Sequence, residues 1–116
     1  IPSTYTAIRK AYPLAQLNTD TMAGRANHLN SMMSAILLYD YNLGDLVKKF
    51  GNNIVNDPRL EEYLAAAYNG SPRWVHQSIV ANKTDSPEWT THLRKETLGF
   101  MSKLRYLRDT YFALNI

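Results

Sequence analysis

Three prolines that each follow a side-chain hydrogen-bond acceptor divide this sequence more sharply than any other feature. The pairs are Asp57-Pro58, Ser71-Pro72 and Ser86-Pro87. An acceptor at the N-cap followed by proline at the first helical position indicates a helix start, because the fixed φ of proline suits a helix and its missing N–H would have no partner there. Gly51 and Gly70 lie where the preceding helices should end, in the left-handed conformation that glycine adopts freely. We therefore expect consecutive helices.

Apolar residues three and four positions apart support the same division. The longest segment keeps this spacing through Asn42 and Gly44 and is predicted to be one helix, at a cost of about 1 kcal/mol for the glycine. No segment alternates with period two, so a substantial sheet is not expected. The 116 residues predict a single all-α domain over residues 1–116, with about five helices. The segments are Ser3–Tyr12, Ala26–Phe50, Pro58–Asn69, Pro72–Asn82 and Pro87 to near the C-terminal end.

The composition excludes several classes of protein. The sequence has no cysteine, so disulfide scaffolds and thiolate metal sites are ruled out. No apolar run reaches the length of a membrane-spanning helix, so no transmembrane segment is expected. The net charge of +3 and the pI near 9.2 favour anionic partners, which include nucleic acid, lipid headgroups and the carboxylate-bearing stem peptides of a cell wall. Charge alone does not choose among them.

Few residues are arranged for familiar chemistry. His28, His76 and His92 lack the spacing of metal ligands, and the common hydrolase and nucleotide-binding motifs are absent, so we expect neither metal nor cofactor. Glu61 and Glu62 fall in the first turns of a helix, where acidic side chains stabilise the helix dipole.

Glu96 lies on the shoulder of the apolar stripe of the last segment, three residues after Leu93 and four before Phe100. A carboxylate there needs a hydrogen-bond partner or a cation, or its pKa rises. It is therefore either an acid in a cleft or a buried structural anchor for a neighbouring helix.

The aromatic and basic residues allow two interpretations each. Trp74 and Trp89 each lie two positions after a helix-starting proline. Each either packs in the hydrophobic core, which we favour, or stacks against a sugar ring. The basic residues of the last segment are spread around the helix axis, which favours a solvated face over a stripe that follows phosphates. We therefore expect no nucleic-acid partner. The basic residues of this segment are Arg94, Lys95, Lys103, Arg105 and Arg108.

Three short segments resemble the soluble lytic transglycosylase family, in the family's order and across nearly the whole chain. Its Ala-Ala-Tyr-Asn-Ala-Gly-Pro signature is similar to Leu64-Ala65-Ala66-Ala67-Tyr68-Asn69-Gly70-Ser71-Pro72. The Met-Pro-Ser-Thr that begins the helix after the family's catalytic motifs is similar to Ile1-Pro2-Ser3-Thr4. The closing Glu-Thr-x-x-Tyr motif is similar to Glu96-Thr97-Leu98-Gly99-Phe100.

The resemblance implies a lysozyme-like helical fold in a bacterial or phage-encoded protein of the cell envelope, either periplasmic or extracellular. Such enzymes cleave the bond between N-acetylmuramic acid and N-acetylglucosamine in peptidoglycan without adding water, and leave a 1,6-anhydro end. One glutamic acid acts first as acid and then as base. By resemblance, Tyr68 would orient that acid and Asn69 would shape the cleft wall, whereas Ser3, Thr4, Glu96 and Phe100 would be cleft or structural residues.

The sequence departs from the family in two places. The family's catalytic glutamate precedes the Pro-Ser-Thr helix, so we expect it upstream of Ile1, in an N-terminal part of the same domain; this chain would be the C-terminal two-thirds and inactive alone. Phe100 stands where the family has tyrosine, which removes one hydroxyl from the cleft. Two alternatives therefore stay open: a non-catalytic peptidoglycan-binding or scaffold module, and a hydrolytic enzyme like goose-type lysozyme.

Overall fold

The computed structural model describes residues 2–19, 27–82 and 87–112. Over these ranges the chain forms five α-helices and no strand, which confirms the all-α prediction; the lysozyme-like fold stays a prediction. The helices are α1 (Pro2–Ala11), α2 (His28–Phe50), α3 (Leu60–Asn69), α4 (Pro72–Asn82) and α5 (Lys95–Leu107). Short 3₁₀ turns span Pro13–Ala15, Asn52–Asn56 and Pro87–His92, and a π-helical turn covers Arg108–Phe112.

The chain divides into two compact units, residues 1–44 and 45–116, with the boundary inside α2. The prediction of one domain over residues 1–116 stays a prediction. In the described part of both units, no helix combines the length and hydrophobicity needed to cross a membrane.

The first unit is held by hydrogen bonds that join α1, the following loop and the start of α2. The Tyr5 hydroxyl donates to the Asn18 carbonyl at 2.6 Å and accepts from Asn30 Nδ2 at 3.0 Å. Ile8 and Leu17 are the buried apolar residues described here. Helix α1 ends before Pro13, as predicted, because the residue before a proline is disfavoured in the helical conformation.

Helix α2 runs unbroken through Asn42 and Gly44, which confirms the predicted long helix. Its burial differs from what the spacing implied, since Leu29, Met32 and Ile36 are each more than 60 % exposed. Spacing therefore identified the helix but not which of its apolar residues are covered.

The second unit is built around α3, which packs against both α4 and α5. Ala66 and Ala67 of α3 are buried, and their small side chains are of the kind that lets neighbouring helices approach closely. Gly51 directly follows the last residue of α2, as expected, and donates its N–H to the Val47 carbonyl at 2.8 Å. Its φ of 91° is positive, but its ψ of 170° lies outside the left-handed helical region, so the expected conformation is wrong. Asp57 accepts a hydrogen bond from the Arg59 N–H at 2.7 Å in the turn before α3. The helix itself begins at Leu60, two residues after the predicted start, and its N-cap residue Arg59 makes no side-chain capping hydrogen bond.

The last predicted segment is not one helix, so that expectation is wrong. The chain forms the 3₁₀ turn Pro87–His92, becomes extended at Arg94 (φ −70°, ψ 157°), and starts α5 at Lys95. Thr97 and Met101 of α5 are buried, whereas Leu107 at its end and Tyr111 in the following π-helical turn are 44 % and 56 % exposed.

Asn82 fastens the end of α4 to the 3₁₀ turn that follows. The two N–H groups on its Nδ2 are shared among three acceptors: the Ser78 carbonyl at 2.8 Å, the Trp89 carbonyl at 3.0 Å and the Thr91 hydroxyl at 2.9 Å. Replacing Asn82 with alanine is expected to lower the free energy of unfolding by about 1 to 2 kcal/mol, because these acceptors lose their donor. Chemical denaturation measures this loss. Gln77→Ala on the exposed side of α4 is the control, and equal losses in both variants would contradict the assignment.

Candidate functional site

The Tyr-Asn-Gly segment that carries the family resemblance lies at the C-terminal end of α3. Tyr68 is 58 % exposed and Asn69 is also exposed, whereas Ala66 and Ala67 just before them are buried. The phenol and the amide therefore project from a helix end whose other side is fixed in the core. Such a position leaves both groups free to contact a ligand or another segment.

Gly70 packs against Thr97 at the start of α5. A Cβ built on Gly70 would lie 2.7 Å from Thr97 Oγ1 and 3.4 Å from the Ala66 carbonyl oxygen. Gly70 itself has φ −112°, so the expected left-handed conformation is wrong; glycine is needed here for close approach and not for its φ. This contact brings together the Tyr-Asn-Gly and Glu-Thr-x-x-Phe segments, which are far apart in sequence.

The other residues implied by the resemblance belong to both units. Thr4 is half-buried in the first unit, and the Ser3 side chain lies outside the described residues. Phe100 is half-buried on α5. Glu96 is exposed and its neighbour Thr97 is buried, so the expectation that Glu96 is a buried structural anchor is wrong, whereas a place in a cleft stays a prediction. The break before α5 turns Glu96 outward.

Among the residues of the second unit that the structure describes, the buried carboxylate is Glu62, which is 3 % exposed. Trp89 Nε1 donates to it at 2.7 Å, Arg105 donates through Nε at 3.0 Å and Nη2 at 2.7 Å, and Arg108 Nη1 donates at 2.9 Å. Both carboxylate oxygens are thus shared among one indole and two guanidinium groups. The network ties α3, the Pro87–His92 turn and the end of α5 together.

The hydrogen bonds to Glu62 outweigh the effect of its burial. Burial alone raises the pKa of the carboxyl, but the donors from Arg105, Trp89 and Arg108 lower the pKa from 4.5 to about 2. Glu62 is therefore a permanently ionised anchor at neutral pH and not a proton donor. Sequence reasoning had assigned it only to the helix dipole; two arginines three positions apart on one helix face were the available signal.

Trp89 and Trp74 have different surroundings. Trp89 is 1 % exposed and makes an edge-on contact with Tyr63, with ring centroids 4.8 Å apart, which confirms its place in the core. Trp74 is half-buried, and the guanidinium carbons of Arg73 and Arg94 lie 5.0 Å and 5.7 Å from its ring centroid. Both distances are within the range of cation–π contacts.

A shallow depression of about 350 Å³ lies elsewhere in the second unit. At its edge His76 Nε2 is 2.6 Å from Asp45 Oδ2, and the ring of His76 meets Phe50 edge-on. Sequence reasoning did not connect these residues, because they lie 31 positions apart on different helices. The lining residues are Lys49, His76, Gln77, Val80, Ala81 and His92.

Among residues 2–19, 27–82 and 87–112, no three histidine, aspartate or glutamate side chains come together in a way that could hold a metal ion. Comparison with known proteins finds no family model, curated protein or solved structure that matches the chain.

Proposed function

We propose that this chain is the C-terminal part of a peptidoglycan lytic transglycosylase domain of the bacterial cell envelope. In this proposal the catalytic glutamate belongs to a segment upstream of Ile1. Tyr68 orients that acid and Asn69 forms part of the cleft wall. Cleavage then follows the non-hydrolytic route, in which the muramyl 6-hydroxyl attacks and a 1,6-anhydro end results.

The observation that carries the proposal is the contact between Gly70 and Thr97. Two of the three segments that resemble the family meet at this point, although Gly70 and Thr97 lie 27 positions apart in sequence. The exposed Tyr68 and Asn69 sit beside this contact on a helix end anchored by buried alanines. A phenol held in this way is suited to fixing the rotamer of a carboxylic acid that arrives from another segment.

The main test is the chemistry of the product. Purified sacculi are digested with a version of the protein extended upstream of Ile1 in its natural sequence, and the released fragments are identified by mass spectrometry. We expect anhydromuramyl ends. Reducing ends would instead indicate a hydrolase. Binding to sacculi without cleavage would indicate the scaffold alternative, which the phenylalanine at position 100 favours. If the protein neither binds nor cleaves sacculi, the proposal is overturned.

Tyr68→Phe in the same active protein is expected to lower kcat about tenfold with little change in KM, since a loss of about 1.4 kcal/mol of transition-state stabilisation is a factor of ten in rate. Tyr106→Phe is the matched control, because Tyr106 is a similarly exposed tyrosine on α5. Release of anhydro products measures both rates. Equal rates for the two variants, or a Tyr68 effect confined to KM, would contradict the positioning role.

A further inference from the structure

The surface around Trp74 gathers positive charge next to the Tyr-Asn-Gly segment. Arg73 is the second residue of α4 and Arg94 directly precedes α5. Both arginines are exposed, and both guanidinium groups lie against the same indole ring. Two cations from segments 21 residues apart in sequence therefore contact the same ring.

The way these arginines are held leaves their hydrogen-bonding groups available. A cation–π contact with an aromatic ring does not use up the N–H groups of a guanidinium, so they can still donate to an acceptor. None of the salt bridges found in the described ranges involves Arg73 or Arg94. Glu96, two positions after Arg94, is exposed and pairs with neither. Trp74 thus holds two cations that form no ion pair within the described ranges.

The position of this pair relates it to the proposed cleft. Arg73 follows Gly70 by three residues, and Arg94 precedes Thr97 by three. Because Gly70 and Thr97 are in contact, both arginines flank the same junction from opposite sides in sequence. A glycan strand that contacts Tyr68 and Asn69 would bring its attached peptides to this neighbourhood.

The geometry points to Arg73 and Arg94, held by Trp74, as a binding site for the carboxylates of the peptides attached to the glycan strand. The inference rests on the proposed function and names the part of the substrate that this surface recognises. Planar guanidinium groups match carboxylates through paired N–H donors, which makes arginine better suited to this contact than lysine.

The test compares sacculi in two forms: untreated, and with peptide carboxylates converted to neutral methylamides by carbodiimide coupling with methylamine. Binding of the 116-residue chain is measured by co-sedimentation. The double variant Arg73→Gln/Arg94→Gln is expected to bind untreated sacculi about tenfold more weakly, as befits the loss of charge-assisted hydrogen bonds. Amidation of the sacculi should weaken binding of the wild-type chain to a similar extent and leave binding of the double variant nearly unchanged.

Two further variants separate this site from general charge. Lys48→Gln/Lys103→Gln removes the same net charge from exposed positions and should change binding less than twofold. Arg73→Lys/Arg94→Lys keeps the charge and should bind with intermediate strength, because lysine lacks the planar pair of donors. Thermal unfolding of each variant checks that the fold is retained.

Several results would overturn the inference. One is wild-type binding that is unchanged after amidation. Another is an equal loss of binding in Arg73→Gln/Arg94→Gln and Lys48→Gln/Lys103→Gln. A third is a DNA oligonucleotide that displaces the chain from sacculi as effectively as free peptide does. If the arginine pair has no effect while the active protein still forms anhydro ends, only this inference fails. If the wild-type chain does not bind sacculi and no cleavage occurs, the proposed function fails with it.

Discussion

Replacing Glu62 with glutamine is expected to lower the free energy of unfolding by about 2 to 4 kcal/mol, the largest effect of any single substitution considered for this chain. The glutamine keeps the shape of the side chain but removes the charge that holds Arg105 and Arg108, and its amide N–H₂ faces donors. Both arginines are partly exposed and can turn toward water, which limits the loss. Trp89 Nε1, in contrast, is buried and cannot turn toward water when it loses its acceptor.

The pKa of Glu62 adds a dependence on pH. Its folded value of about 2 lies below the ordinary value of 4.5, so folding favours the ionised carboxylate. Its contribution of about 3 kcal/mol is therefore complete above pH 4.5 and is lost as the pH falls from 4.5 toward 2. Denaturant titrations of the wild-type chain across this range measure the loss, and Glu62→Gln should lack this component.

Glu61→Gln is the matched control, because Glu61 is exposed in the same first turn of α3. It should change stability by only a few tenths of a kcal/mol, as expected for a carboxylate that interacts only with the helix dipole. Similar losses at both positions, or a wild-type stability that stays constant between pH 5 and 2, would show that the Glu62 network does not stabilise the fold.

Gly70→Ala is expected to lower the free energy of unfolding by about 1 to 3 kcal/mol, because the added methyl group overpacks the contact between α3 and α5. The new Cβ would stand 2.7 Å from Thr97 Oγ1, so either the side chain or the helix must shift. Equilibrium denaturation measures the loss. In an active extended protein the same shift should also lower activity, since Tyr68 is two residues away.

A double-mutant cycle tests the cause of that loss. Thr97→Ala removes the oxygen that the new methyl group would meet, so Gly70→Ala should lower the free energy of unfolding less in the Thr97→Ala background. Thr97→Ser keeps the oxygen, so the loss caused by Gly70→Ala should stay larger in that background. Gly99→Ala on exposed α5, where nothing lies within 4 Å, should instead stabilise by about 0.5 to 1 kcal/mol through helix propensity. Additive effects of Gly70→Ala and Thr97→Ala would rule out the proposed clash.

The helices themselves followed from signals between neighbours in the sequence. Pro72 and Asn82 bound α4 as predicted, and α2 continues through Gly44 as its spacing indicated. The last segment was misjudged, because its apolar spacing continues across Arg94 although the backbone there is extended. The spacing of apolar residues indicates which residues share a helix face, but it does not show where one residue with an extended backbone interrupts the helix.

The candidate site was predicted in part. Tyr68 and Asn69 were identified by resemblance, and their exposure at the end of α3 agrees with a position at a surface. The role of Gly70 was misjudged, because a close approach to Thr97 cannot be read from either residue alone. The convergence of Arg73 and Arg94 on Trp74 was likewise invisible in the sequence.

The sequence by itself determined the all-α class and most helix ends, because caps, prolines and glycines act within a turn of where they stand. Only the tertiary structure decided which glutamate is buried. The donors to Glu62 lie 27, 43 and 46 positions further along the chain, and identical neighbouring glutamates differ only in the side of α3 they occupy. Burial and charge pairing depend on distances in space, which local sequence does not contain.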